Sequence, residues 1–157
     1  MKYFPPFVIL QSLLMFVFQR VSFPKYRVGK TIIREDGKKF RIFREIQVKA
    51  IKDQQTNPKG VFQVWFSTKV KHQQTILLSK ITLLGFLGLP GFRSKLWLIN
   101  DETKEFSGIY EWDRLEDTHN YDKSYTMKFS HWRSLPNRFR KIVLIPSDTR
   151  TRVQFLD

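Results

Sequence analysis

Residues 94–112, SKLWLINDETKEFSGIYEW, decide the fold. Ser94–Ile99 and Phe106–Trp112 carry large apolar residues at the two-residue period of a strand, and the polar run Asn100–Lys104 between them is a turn. In the first strand Lys95 and Trp97 share one face, and Leu96 and Leu98 the other. In the second, Phe106, Gly108, Tyr110 and Trp112 lie opposite Ser107, Ile109 and Glu111. Upstream, Val61–Thr68 (VFQVWFST) reads as a strand. His72–Leu87 reads as a helix, with Ile76, Leu77, Ile81, Leu84 and Leu87 near helical spacing. Leu89-Pro90-Gly91-Phe92 breaks that helix. Downstream, Leu115–Trp132 is a second helix, with Leu115, Thr118, Asp122, Tyr125, Phe129 and Trp132 on one stripe. Pro136 stops it, and Phe139–Ile145 (FRKIVLI) is a fourth strand. Two β-α-β halves joined by a hairpin predict an α+β, ferredoxin-like βαββαβ sandwich over residues 59–157, with both helices on one face of an antiparallel sheet.

Residues 1–58 form an extension. Phe7–Phe18 (FVILQSLLMFVF) is apolar apart from Gln11 and Ser12, and Pro5 and Pro6 suit the start of a helix. Twelve helical residues rise about 18 Å, short of the ~30 Å hydrocarbon core. The expectation is a retained helix, packed on the domain or lying in a membrane interface with Arg20, Lys25 and Arg27 at its edge. A cleaved signal ranks second, because QRVSFPKY offers no small-x-small cleavage site. A cytoplasmic or membrane-peripheral location is favoured over secretion on the same ground. Lys30–Arg34 and Lys39–Val48 flank Asp36-Gly37, the signature of a β-hairpin. Strict alternation puts Phe40, Ile42, Arg44, Ile46 and Val48 on one of its faces. Asp53–Gly60 (DQQTNPKG) reads as a linker.

The net charge is +14, and it is uneven: residues 1–60 hold 13 Lys/Arg against 4 Asp/Glu, for +9. A basic segment ahead of a milder domain suits an anionic surface, either lipid headgroups or nucleic acid, or is simply a solvated basic face. Nucleic acid is disfavoured, since no RNP-like aromatic pattern is present. With no cysteine there is no disulfide, thiol nucleophile or zinc-thiolate site. His72, His119 and His131 lack metal-ligand spacing, so no metal is expected. The glycines at 85, 88 and 91 follow a helix rather than a strand, which suits a turn and not a phosphate cradle. Aromatic residues, at 15%, suit a thick core or an aromatic-lined cavity. Asp122, one turn from Thr118 on an apolar stripe, needs a partner or water. It lines a polar pocket or tilts to the surface.

The run Leu89-Pro90-Gly91-Phe92, then Lys95 and Trp97, then Gly108-Ile109-Tyr110-Glu111-Trp112 and a later helical Tyr121 resembles the monooxygenase-like proteins of the dimeric α+β barrel superfamily. The likeness covers roughly residues 62–146, and Thr118 stands where those proteins commonly carry Ala. It implies a homodimer pressed together through the sheet face opposite the helices, and a cavity between sheet and helices for a small hydrophobic or aromatic ligand. It places Lys95, Trp97, Tyr110, Trp112 and Thr118 as lining residues, and Tyr121, Asp122 or His131 as groups that move a proton. No cofactor is predicted, though haem or flavin stays open. The scaffold serves oxygenases, haem-degrading enzymes and non-enzymatic binders, so it does not choose among them. The competing expectation is a dimeric adaptor held at a membrane by the basic, apolar amino-terminal segment.

Overall fold

The structure, a computed structural model, describes residues 4–49 and 57–145 and the backbone of residues 154–156. The ferredoxin-like unit is β4 (Gly60–Thr68), α2 (His72–Ile81) with a 3-10 turn (Thr82–Gly85), β5 (Phe92–Ile99), β6 (Phe106–Trp112), α3 (Leu115–Asp122), α4 (Tyr125–Trp132) and β7 (Ser134–Leu144). Its strands lie in the order β7-β4-β6-β5, all antiparallel. β7 starts earlier than expected and runs through Pro136. An edge strand tolerates the missing N–H. Ahead of this unit come α1 (Pro5–Val17), β1 (Val21–Ser22), β2 (Thr31–Ile33) and β3 (Lys39–Val48). The Asp36-Gly37 turn is present, with Gly37 at φ 80°, where a residue without Cβ is at ease.

The hairpin does not hang off the domain. β3 pairs antiparallel with the edge strand β5, β2 pairs with β3, and β8 (Gln154–Leu156) pairs with β2, which makes one eight-stranded sheet. That sheet curls. The Arg34 guanidinium sits 5.8 Å over the Trp65 ring of β4, although three strands separate β2 from β4. Curling lets Ile32, Phe40 and Ile42 pack on Val61, Leu96, Leu98 and Ile109, on the face away from the helices. Of the expected linker, residues 53–56 lie outside the described residues.

Three expectations from periodicity need correction. Strict alternation along β3 fails because the register shifts between Ile42 and Arg44, inserting Phe43 as a bulge. Phe40 and Ile42 therefore face the far side, while Ile46 and Val48 face the helices. The single stripe over 115–132 fails because the helix breaks at Lys123 and restarts with Ser124 as N-cap, its hydroxyl accepting the Met127 N–H at 3.3 Å. The restart changes the phase. Asp117, Thr118, Tyr121, Thr126, Met127 and Ser130 face inward, and Leu115, Tyr125, Phe129 and Trp132 face solvent. In α2 the inward residues are Thr75 and Ser79, whereas Leu77 and Ile81 are exposed.

Candidate functional site

Cross-strand pairing builds the site. Lys95 pairs with Tyr110 and Trp97 with Gly108, so all four point to the helix face of the sheet. Gly108 supplies room. A Cβ there would meet the Tyr110 ring at 2.9 Å and Lys95 Cε at 3.5 Å. Phe86, which follows the 3-10 turn, closes a third side. Lys95 Nζ lies 4.2 Å from the Trp97 centroid, 4.3 Å from Tyr110 and 4.4 Å from Phe86. This is an aromatic cage around a buried amine.

Two further cations lie close by, and one of them, Arg133, lines the same cavity as Lys95. Arg133, at the C-cap of α4, is buried, and its Nε and Nη1 have no hydrogen-bond partner among the described residues. Its guanidinium sits 5.1 Å over Phe66. Arg44 lies 5.5 Å over Trp97 and donates to Ser79 Oγ at 2.8 Å. No carboxylate lines the cavity that Lys95 and Arg133 share. Burial, then repulsion from Arg133 and Arg44, pushes the Lys95 amine well below its ordinary value. Burial also lowers Arg133. Behind Tyr110 stands Tyr121, ring centroids 4.6 Å apart, with Trp112 5.1 Å further on. Burial raises both phenols. Trp112 Nε1 has no hydrogen-bond partner among the described residues, and the Tyr121 hydroxyl has the Tyr110 phenol as its polar neighbour.

The structure thus gathers Lys95, Trp97 and Tyr110 at the cavity, with Tyr121 and Trp112 as its packed rear wall. Three candidates lie elsewhere. Thr118 is buried against Gly60 and donates to the Leu115 carbonyl. Asp122 tilts to the surface and accepts from Lys141 Nζ at 2.6 Å, a partner 19 residues away on β7. His131 is exposed, edge-on to Phe139 at 4.9 Å. Sequence reasoning missed Phe86, Arg44 and Arg133. The signal for Arg133 was a helical spacing of three from Ser130 and seven from Thr126, both inward, hidden by ending the helix at Trp132.

The cavity itself measures about 20 Å³, room for one water-sized group. Haem and flavin do not fit it as it stands, and no histidine lines it. A larger hollow of about 190 Å³ opens on the far face between β2 and β7, away from all the candidates. Among the described residues no group of His, Asp and Glu could hold a metal ion.

No family model matches the chain, and no curated protein does. Solved structures do. A haem-degrading enzyme from Listeria monocytogenes superposes with TM-score 0.52 at 16% identity, over 78% of this chain and 95% of its own. A ferredoxin-fold protein related to antibiotic biosynthesis monooxygenases, from Listeria monocytogenes 4b F2365, gives 0.51 at 16% identity, over 68% of this chain. A monooxygenase-like protein from Listeria innocua gives 0.50 at 16% identity, over 69% of this chain. The chain spans 63% of the length of the second and 64% of the third. The chain has their ferredoxin-like fold. Identity this low carries the architecture and leaves the activity to the site.

Proposed function

We propose that this monooxygenase-like domain binds a small aromatic ligand bearing an acidic group, seated between sheet and helices at Lys95, Tyr110 and Arg133. The observation that carries the reading is a cage of aromatic rings holding buried cations with no carboxylate to match them. Rings offer stacking area, and a carboxylate or phenolate would satisfy the Arg133 donors. A lysine amine with a depressed pKa is a proton acceptor, so a carboxylate entering the cage draws a proton from solvent onto Lys95, and the two form an ion pair. Oxygen chemistry on that anion is compatible with the reading and is not required by it. An aromatic ring needs more than 20 Å³, so α4 has to move off the sheet. Of its inward residues Thr126 and Ser130 are small and polar, and Met127 is the one that gives up core contacts on opening.

Thermal melts with benzoate, salicylate and 1-naphthoate, each beside its neutral amide, test this. Acids should raise the melting temperature of the wild type and amides should not. At a ligand concentration of about 100 Kd the gain is about 2.7 kcal/mol. Arg133→Met should lose the response. Equal shifts from acid and amide, or none from either, would end the reading.

The homodimer remains a separate proposal on narrower ground. The hairpin already packs on part of the far face, so a partner would have to cover what it leaves open beside Trp65 and Ile142. Light scattering at micromolar concentration should return the mass of two chains, and a single-chain mass removes the idea.

A further inference from the structure

α1 is apolar almost all round, yet it buries only Val8 and Ser12. The contact it does make is tight. Ser12 Oγ accepts the Gly88 N–H at 2.8 Å and lies 2.9 Å from the Leu84 carbonyl. A Cβ on Gly88 would meet the Val8 carbonyl oxygen at 2.3 Å. The helix is therefore docked on the domain by a narrow seam, and the rest of its surface points outward. Leu10, Leu13 and Leu14 are exposed. Val17 is 72% and Phe18 69% exposed, and Phe23 continues the patch beyond the helix. Contiguous apolar surface of this kind on a folded domain marks an interaction site.

Charge says which kind. The first Asp or Glu of the chain is Glu35, whereas Arg20, Lys25 and Lys30 precede it. An open groove of about 650 Å³ runs beside the helix, where Phe7, Leu14 and Phe18 meet Arg20, Lys49 and the Arg93–Asp113 ion pair. A second copy docking on this patch would press like charges together, which is unfavourable. An anionic lipid surface offers acyl chains to the rings and leucines, and phosphates to the cations. Thirteen residues rise about 20 Å, and no described helix is long and apolar enough to cross a bilayer. We infer that α1 is an interfacial anchor that lies in the headgroup boundary of an anionic membrane, with Arg20, Lys25 and Lys49 on the phosphates.

The test is sedimentation of the full chain with vesicles of phosphatidylcholine plus phosphatidylserine, and with phosphatidylcholine alone. Binding should need the anionic lipid and weaken when salt rises from about 0.1 M to about 1 M. Lys25→Glu with Lys49→Glu should weaken it by at least about fivefold per removed charge. Leu13→Glu with Val17→Glu should abolish it. These side chains are exposed, so an unchanged melting curve certifies the fold, and the lipid and salt arms decide the matter on wild type alone should a variant misfold. Equal binding to neutral vesicles overturns the inference, as does no binding to either. Resistance to carbonate extraction would overturn it too. So would a dimer dispersed by Leu13→Glu with Val17→Glu in a protein that ignores vesicles.

Discussion

Lys95→Met should make the protein more stable at neutral pH, by on the order of 1–4 kcal/mol, while abolishing its response to aromatic acids. The wild-type amine is wholly buried among Phe86, Trp97 and Tyr110, has no carboxylate across from it, and feels Arg133 and Arg44 as like charges. Methionine keeps the unbranched stem and the contacts with the rings while removing the group that burial penalises. The pH dependence carries the sign. In the folded protein Lys95 gives up its proton well below the ordinary 10.5, whereas the unfolded chain keeps it up to that value. Between the two, unfolding takes up a proton, so stability rises with pH by about 1.4 kcal/mol per unit. Tyr110 and Tyr121 act the other way above about 10, their ordinary value. There the unfolded phenols ionise and the buried ones do not. Wild-type stability should therefore climb toward pH 10 and fall beyond it, and Lys95→Met should keep the fall and lose the climb. Guanidinium melts from pH 7 to 11 measure both limbs. A variant less stable than wild type at every pH would mean that Lys95 has an anionic partner in the resting protein.

The β5–β6 hairpin was readable because two independent signals agreed there. Apolar alternation set the strands, and the polar run Asn100–Lys104 set the turn between them. That pairing brings Lys95, Trp97 and Tyr110 together whatever the helices do. The helices were harder. Periodicity assumes an unbroken phase, and one capped restart at Ser124 turned Phe129 and Trp132 out and Arg133 in. The same assumption failed at Phe43, where one bulged residue moved the second half of β3 to the opposite face. Asp122 illustrates a different limit. Its answer to the polar-on-apolar problem is Lys141, which only the β4–β7 pairing brings near, and no local pattern points there. The curl that carries Arg34 over Trp65 is likewise a property of the whole sheet and invisible to any window of sequence.

Tyr121 separates scaffold from chemistry at this site. Its side chain is fully buried, edge-on to Phe62 at 5.2 Å and tilted against Tyr110 and Trp112, so it holds α3 to the sheet. Tyr121→Ala should cost about 3–5 kcal/mol, because removing a ring from a packed aromatic cluster forfeits both transfer energy and contacts. Tyr121→Phe should behave oppositely. The hydroxyl it removes is buried with only the Tyr110 phenol as a polar neighbour, so its loss should leave stability within about 1 kcal/mol of wild type. If the hydroxyl serves the ligand, the same variant should bind aromatic acids more weakly at undiminished stability, a combination that a packing role cannot produce. Urea titrations of both variants, each followed by melts with 1-naphthoate, make the distinction. A Tyr121→Phe protein that loses more than about 1 kcal/mol would show that the phenol is hydrogen-bonded in the core, through Tyr110 or a buried water, and belongs to the scaffold.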